Sequence, residues 1–334
     1  MQQEAFQARH GQEWTRFEAW LASRSRATTP AKGSADESFD DVDFPAAYRR
    51  ICQQLALAEK RGYSQALTRR LADLVQRGHL VLYRPPPPRL ARVADFFAAE
   101  FPHLVRSQWR AMVVAAALFF APLIGAIVLL QYRPELVHSL FSPDQIAEFE
   151  AMYDPAAAAK ALGRSSGTDL AMFGFYILNN VSIGFRTFAS GLVAGVGSVV
   201  VLLFNGVFIG GIAGHLTAIG YGGPFWRFVA GHSAPELLAI VISGGAGLQI
   251  GMALLAPGRR TRARALAESG VIGAKLVLGV FAMLVFAAFI EAYWSSIAWM
   301  PSVVKFGFGA LMWSGILLWL WRGGRGREAT EGKS

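Results

Sequence analysis

The chain has 334 residues, 53% of them hydrophobic and only 16% charged, with a mean hydropathy of +0.35 and a formal net charge of +9. Its single cysteine, Cys52, excludes an intrachain disulfide and any multi-cysteine metal site. In so apolar a chain the positive charge marks cytoplasmic loops facing anionic lipid, not nucleic acid.

The apolar residues are segregated. Residues 1–105 read as a charge-rich cytoplasmic helical domain, and residues 106–334 as a membrane bundle with a basic tail. The opening MQQEAFQARH lacks the apolar core of a signal peptide, so the first apolar span is expected to be retained.

Residues 2–26 predict an amphipathic helix, with Phe6, Trp14, Phe17, Trp20 and Leu21 recurring at helical spacing. Residues 27–43, rich in Thr, Pro, Gly, Ser and Asp, read as a flexible linker. Residues 44–83 predict two helices broken at Gly62, one with Ile51, Leu55 and Leu57 on a face, the other with Leu67, Leu71 and Leu74. The run Pro85 to Pro88 cannot be helical and separates these from a helix over residues 90–101.

Six apolar spans of about 20 residues follow, enough to cross a bilayer each. They are residues 111–130, 170–183, 191–219, 235–255, 271–290 and 303–321, with Arg186 expected in a tight turn between the second and third. Arg106 and Arg110, the loop residues Arg259, Arg260, Arg262 and Arg264, and the tail residues Arg322, Arg325 and Arg327 then share one side with Arg186. Residues 131–169, with six acids and three bases, lie on the other. The positive-inside rule puts both termini in the cytoplasm. Residues 143–153 and 155–162 suggest short helices in the outer loop, and Trp294 and Trp299 suit the outer interface.

Residues 179–251 concentrate polar groups in apolar sequence: Asn179, Asn180, Arg186, Asn205, His215, His232 and Glu236. A charge at membrane depth costs about 2.5–3.5 kcal/mol on insertion scales, so each needs a partner, an aqueous path or a helix end. Glu236 follows Ser233 at capping-box spacing, which would make it a helix cap. The alternative is an intramembrane polar site of Asn179, Asn180, Asn205, His215, His232 and Glu236 that handles a cation or relays protons. Reaching Glu236 from the two asparagines requires a broken or re-entrant approach, for which YGGPFWRFVAGHS has the glycines and proline. Gly206, Gly210 and Gly214, and Gly247 with Gly251, recur every four residues and predict close helix packing within the monomer, with a homo-oligomer seam as the alternative. No HExxH, GxSxG or P-loop occurs, so no catalytic residue, metal ligand set or cofactor is assigned and the chain is not expected to be an enzyme.

Three stretches resemble the stage II sporulation protein M family, also called DUF95. They are residues 44–83, residues 179–210 (NNVSIGFRTFASGLVAGVGSVVVLLFNGVFIG) and residues 231–251 (GHSAPELLAIVISGGAGLQIG). The first is similar to the helical region of Gram-negative-type members, the other two to the family's paired-Asn and His…Glu-Leu…Ala-Gly-Leu signatures. One departure is Gly231-His232-Ser233, where members often carry Pro-His-Gly. The resemblance implies an all-α polytopic membrane scaffold of a cell-envelope complex, since sporulating members recruit and position peptidoglycan-degrading partners. Its partners would be the lipid bilayer and other membrane or envelope proteins. The alternative is a transporter or channel-like protein using the polar site.

Overall fold

The computed structural model describes residues 2–25, 43–83, 89–156 and 166–325, and among these there are helices and no strands. The expected linker (but for Asp43), the proline run and most of the expected helix over residues 155–162 lie outside them. The chain divides into two compact units, residues 1–88 and 89–334.

Among the described residues the first unit has three helices: α1 (Gln3–Ser25), α2 (Phe44–Lys60) and α3 (Gln65–Leu82). The apolar residues at helical spacing meet in one core, with Phe6, Trp14, Phe17, Ile51, Leu71 and Leu74 at 1% exposure or less. Leu55 and Leu57 only flank it, because the buried face of α2 runs through Phe44, Tyr48, Ile51 and Ala58. Gly62 takes φ +63°, a left-handed conformation that turns α2 into α3. The buried amide Gln54 accepts from Trp14 Nε1 at 2.6 Å and donates to Glu13 at 3.1 Å.

The second unit starts earlier than the sequence suggests. Helices α4 (Arg89–Asp95) and α5 (Phe101–Ser107) join through a π turn, Phe96–Glu100, and belong to this unit, where α5 contacts the helices Trp109–Tyr132, Arg262–Phe289 and Ser302–Arg322. Phe101, fully buried, stacks on Trp319, while Trp319 donates to the Phe97 carbonyl and Arg106 to that of Leu320.

The long helices are α6 (Trp109–Tyr132), α9 (Ser166–Ala189), α10 (Val196–Ala218), α12 (Ser233–Leu255), α13 (Arg262–Phe289) and α14 (Ser302–Arg322). The short helices α7 (Val137–Leu140), α8 (Pro143–Tyr153) and α11 (Gly222–Val229) lie between them in sequence. Five are long and apolar enough to cross a membrane: α6, α10, α12, α13 with the π turn that extends it to Ser295, and α14. The protein is an all-α membrane bundle. The expected second span, α9, has the length but is not among the five, because Asp169, Asn179, Asn180 and Arg186 dilute its apolar content.

Helix α12 is the shaft, touching all five other long helices. Small residues make that possible: Ala239, Ser243, Gly244, Gly245, Ala246 and Gly247 are all buried. A Cβ on Gly247 would stand 2.1 Å from Ser198 Oγ, and one on Gly251 would stand 2.2 Å from the Gly195 nitrogen. Gly206, Gly210 and Gly214 form a second seam along α6, where Cβ atoms would meet Phe119 O at 2.4 Å, Leu123 O at 2.3 Å and Ile127 Cα at 3.0 Å. Both seams close within the monomer.

Two local expectations change. Arg186 lies in the last turn of α9, which runs on to Ala189. The expected span over residues 191–219 becomes an α-helix only at Val196, after a 3-10 turn at Ser190–Leu192, because Ala194 (φ 51°) and Gly195 (φ 81°) are left-handed. That break seats Gly191 and Gly195 against the backbone of α12.

Candidate functional site

Between α6, α8–α12, α14 and the π turn after α13 lies a cavity of about 640 Å³, mostly walled by aromatic and aliphatic side chains. Its polar groups converge from three places. Asn179 and Asn180 come from α9, His232, Ser233 and Glu236 from the start of α12, and Glu291 from the π turn. The exposed side chains Met152, Phe175, Trp226 and Phe306 form its rim.

The start of α12 does not form the expected capping box. His232 occupies the N-cap position with no side-chain cap bond, and Glu236 turns to His232 Nε2, 3.7 Å from its carboxylate. Ser233 accepts from Trp313 Nε1 at 3.1 Å, a cross-helix bond that competes with capping. His232 is held on its other nitrogen, Nδ1, by Ser295 Oγ at 2.9 Å. Asn179 donates to the Asn180 amide oxygen at 2.9 Å, and Asn180 donates to Glu291 at 3.4 Å. His232, Glu236 and Glu291 bring one ligand atom each within 4.8 Å of one another, the one group among the described residues that could hold a metal ion. From outside the spans, Tyr153 on α8 reaches the same space. Burial pushes its hydroxyl above the usual tyrosine range, and Glu291, Tyr176 and Glu236 add to the shift, so it remains neutral.

Four of the six expected site residues therefore meet: Asn179, Asn180, His232 and Glu236. Asn205 and His215 do not line the cavity. The Asn205 amide donates to the Val201 carbonyl of its own helix at 2.8 Å, which satisfies it locally. His215 is buried against α8, its Nε2 2.8 Å from the Glu150 carboxylate, and so ties the loop helix to α10. Replacing His215 by phenylalanine should loosen α8. A hydrogen bond to a charged group is worth about 1.5–3 kcal/mol, so amide exchange over residues 143–153 should rise roughly ten- to hundredfold. Unchanged exchange would mean that apolar packing alone holds α8. Glu291, Ser295 and Trp313 had no sequence signal, because the first two follow an apolar run, Trp313 lies inside one, and each meets its partner only in the fold.

Residues 114–296 match the family model described as Stage II sporulation protein M, and residues 4–84 match one described as a domain of unknown function, DUF8413. The first match spans Asn179, Asn180, His232, Glu236 and Glu291; it leaves residues 44–83 to the second model. No curated protein and no solved structure matches.

Proposed function

The chain belongs to the stage II sporulation protein M family, and from that premise we propose that it is an integral scaffold of a cell-envelope complex. It sits in the inner membrane as a six-helix multi-pass protein with both termini cytoplasmic, and it positions partners that remodel peptidoglycan without being an enzyme itself. The observation that supports this is the architecture. A separately folded helical unit with its own aromatic core is joined to the family's membrane region. Among the described residues the one His and carboxylate cluster lies outside that unit. Pull-down of tagged protein in mild detergent should recover a stoichiometric envelope partner that is lost when residues 1–88 are deleted. Recovery of this chain alone would remove the scaffold reading.

The orientation has its own test. In a Cys52→Ser background, Asp144→Cys should react with an impermeant maleimide added to intact spheroplasts, and Arg259→Cys only after permeabilisation. The reverse pattern inverts the topology.

A second reading, a transporter or channel-like protein, is favoured by the cavity. Glu236 and Glu291 stand inside a membrane bundle, where carboxylates are costly and mark ion or substrate paths. On this reading Glu236→Gln leaves a folded protein that no longer moves its substrate or protons across liposomes; undiminished flux would exclude Glu236 from the path.

A further inference from the structure

The buried imidazole of His232 has one nitrogen that the fold satisfies and one that it does not. Nδ1 is held by Ser295 Oγ at 2.9 Å, and the ring stands edge-on to Phe228 with centroids 5.3 Å apart. Nε2 makes no hydrogen bond to a described residue; the Glu236 carboxylate stands 3.7 Å away, beyond hydrogen-bond reach. Ser295 lies behind the cavity wall and Glu236 in it, so Nε2 points into the cavity although His232 is only 4% exposed. A metal ion fits that gap better than a proton does. Two ligands about 2.0–2.2 Å from a tetrahedral zinc stand roughly 3.4 Å from each other. The Glu291 carboxylate adds a third ligand atom, all three lying within 4.8 Å of one another.

The surroundings have the form of a second shell. Metal-ligating histidines are hydrogen-bonded through their other ring nitrogen, and ligating carboxylates are hydrogen-bonded in turn. Ser295 does this for His232, and Asn180 donates to Glu291 at 3.4 Å. A carboxylate offers two oxygens and about four lone-pair directions, so the hydrogen-bond partners of Glu291 coexist with a metal bond. Ser295 is itself anchored from α14, where buried Lys305 donates to its carbonyl at 2.8 Å. His232 and Glu236 share one face of the first turn of α12. The π turn after α13 supplies both Glu291 and Ser295, and such irregular turns are frequent at functional sites.

We propose that His232, Glu236 and Glu291 bind one zinc-class divalent transition-metal ion, with a fourth position open to the cavity. On binding, the two carboxylates turn inward by side-chain rotation. One imidazole with two carboxylates suits zinc, whereas calcium takes about six to eight oxygens and magnesium a near-octahedral oxygen set. Three protein ligands and an open position make an exchangeable or reactive zinc, not a closed structural one. The proposal concerns binding alone and holds for a scaffold and a transporter alike.

The test is zinc binding to the full chain in lipid nanodiscs, freed of its tag and stripped of metal, read by competition with a chromophoric chelator. Binding should saturate at one ion per chain and survive a hundredfold excess of calcium or magnesium. His232→Gln, Glu236→Gln and Glu291→Gln should each weaken it at least tenfold with an unchanged metal-free thermal melt. Ser295→Ala keeps all three ligands and should weaken it about ten- to hundredfold. His138→Gln, on an exposed residue of α7, should leave it unchanged. X-ray absorption at the zinc edge should show imidazole nitrogen and carboxylate oxygen at about 2.0–2.2 Å and no sulfur. Absence of stoichiometric binding, or displacement by calcium or magnesium, overturns the proposal. Binding that all three ligand variants retain means an adventitious ion only and overturns it too. Should those variants fail to fold, X-ray absorption on the unaltered chain decides, and a six-coordinate shell of oxygens alone rejects the site. Pull-down and liposome flux play no part in the readout, so failure of either function reading stays distinct from failure of this one.

Discussion

Replacing Gly210 by valine should leave little folded protein to recover in detergent. The new Cβ would stand 2.3 Å from the Leu123 carbonyl oxygen and 2.8 Å from Leu123 Cα, atoms of another helix's backbone that cannot rotate aside. The whole α6–α10 seam would have to open, carrying Gly206 and Gly214 out of contact as well. Membrane helices are held chiefly by such close packing, since lipid offers no hydrophobic drive between them. The cost should therefore exceed the about 1–3 kcal/mol typical of an overpacked side-chain core. Size-exclusion chromatography should show aggregate in place of a monodisperse peak. Gly125→Val on the same α6, with nothing within 4 Å of its Cβ, should elute and melt like the unaltered chain. Equal behaviour of the two variants would refute the seam.

Trp14→Ala should unfold the first unit and spare the second. Truncating a fully buried tryptophan costs about 3–5 kcal/mol, and Trp14 is 1% exposed at the centre of a three-helix core. The substitution also strands the buried Gln54 carbonyl, which accepts from Trp14 Nε1 and would lose its donor at a further cost of about 1–3 kcal/mol. Against a domain stability of about 5–15 kcal/mol, that is most of the reserve. Hydrogen exchange should accelerate across residues 3–82 and stay unchanged across residues 109–322. Trp14→Phe, which keeps the ring and loses the donor, should show only the smaller loss. Protection of residues 3–82 in the alanine variant would mean that Trp14 does not anchor the unit.

Five of the six expected apolar spans were legible because length and hydropathy report burial in lipid directly, and the paired glycines because four-residue spacing repeats a helix face. What failed were features set by distant contacts. The left-handed Ala194 and Gly195 lie in SGLVAGVG, which is apolar enough to pass for helix; the backbone of α12 bends it. Glu291 was invisible because it follows Ile290 at the apparent end of an apolar run. A π turn carries the helix to Ser295 and turns the carboxylate toward Asn180, 111 positions away. Asn205 and His215 show the opposite error. They carry the same apparent signal as Asn180 and His232, but their positions on α10 aim one at its own Val201 carbonyl and the other at Glu150.

The polarity of α9 bears on how the molecule is made. Its buried Asn180 is satisfied by Glu291, and its largest contacts are with α12 and α13, both synthesised later. An insertion machinery that sorts each segment by its own hydrophobicity would release α6 and α10 into lipid as they emerge and hesitate over α9. On that footing the helix would settle only when the second half of the chain arrives, and integration would be ordered by partnership and not by position along the chain. A nascent chain that has released α6 and α10 but not yet α12 and α13 would hold those two helices in the bilayer with α9 still waiting at its edge.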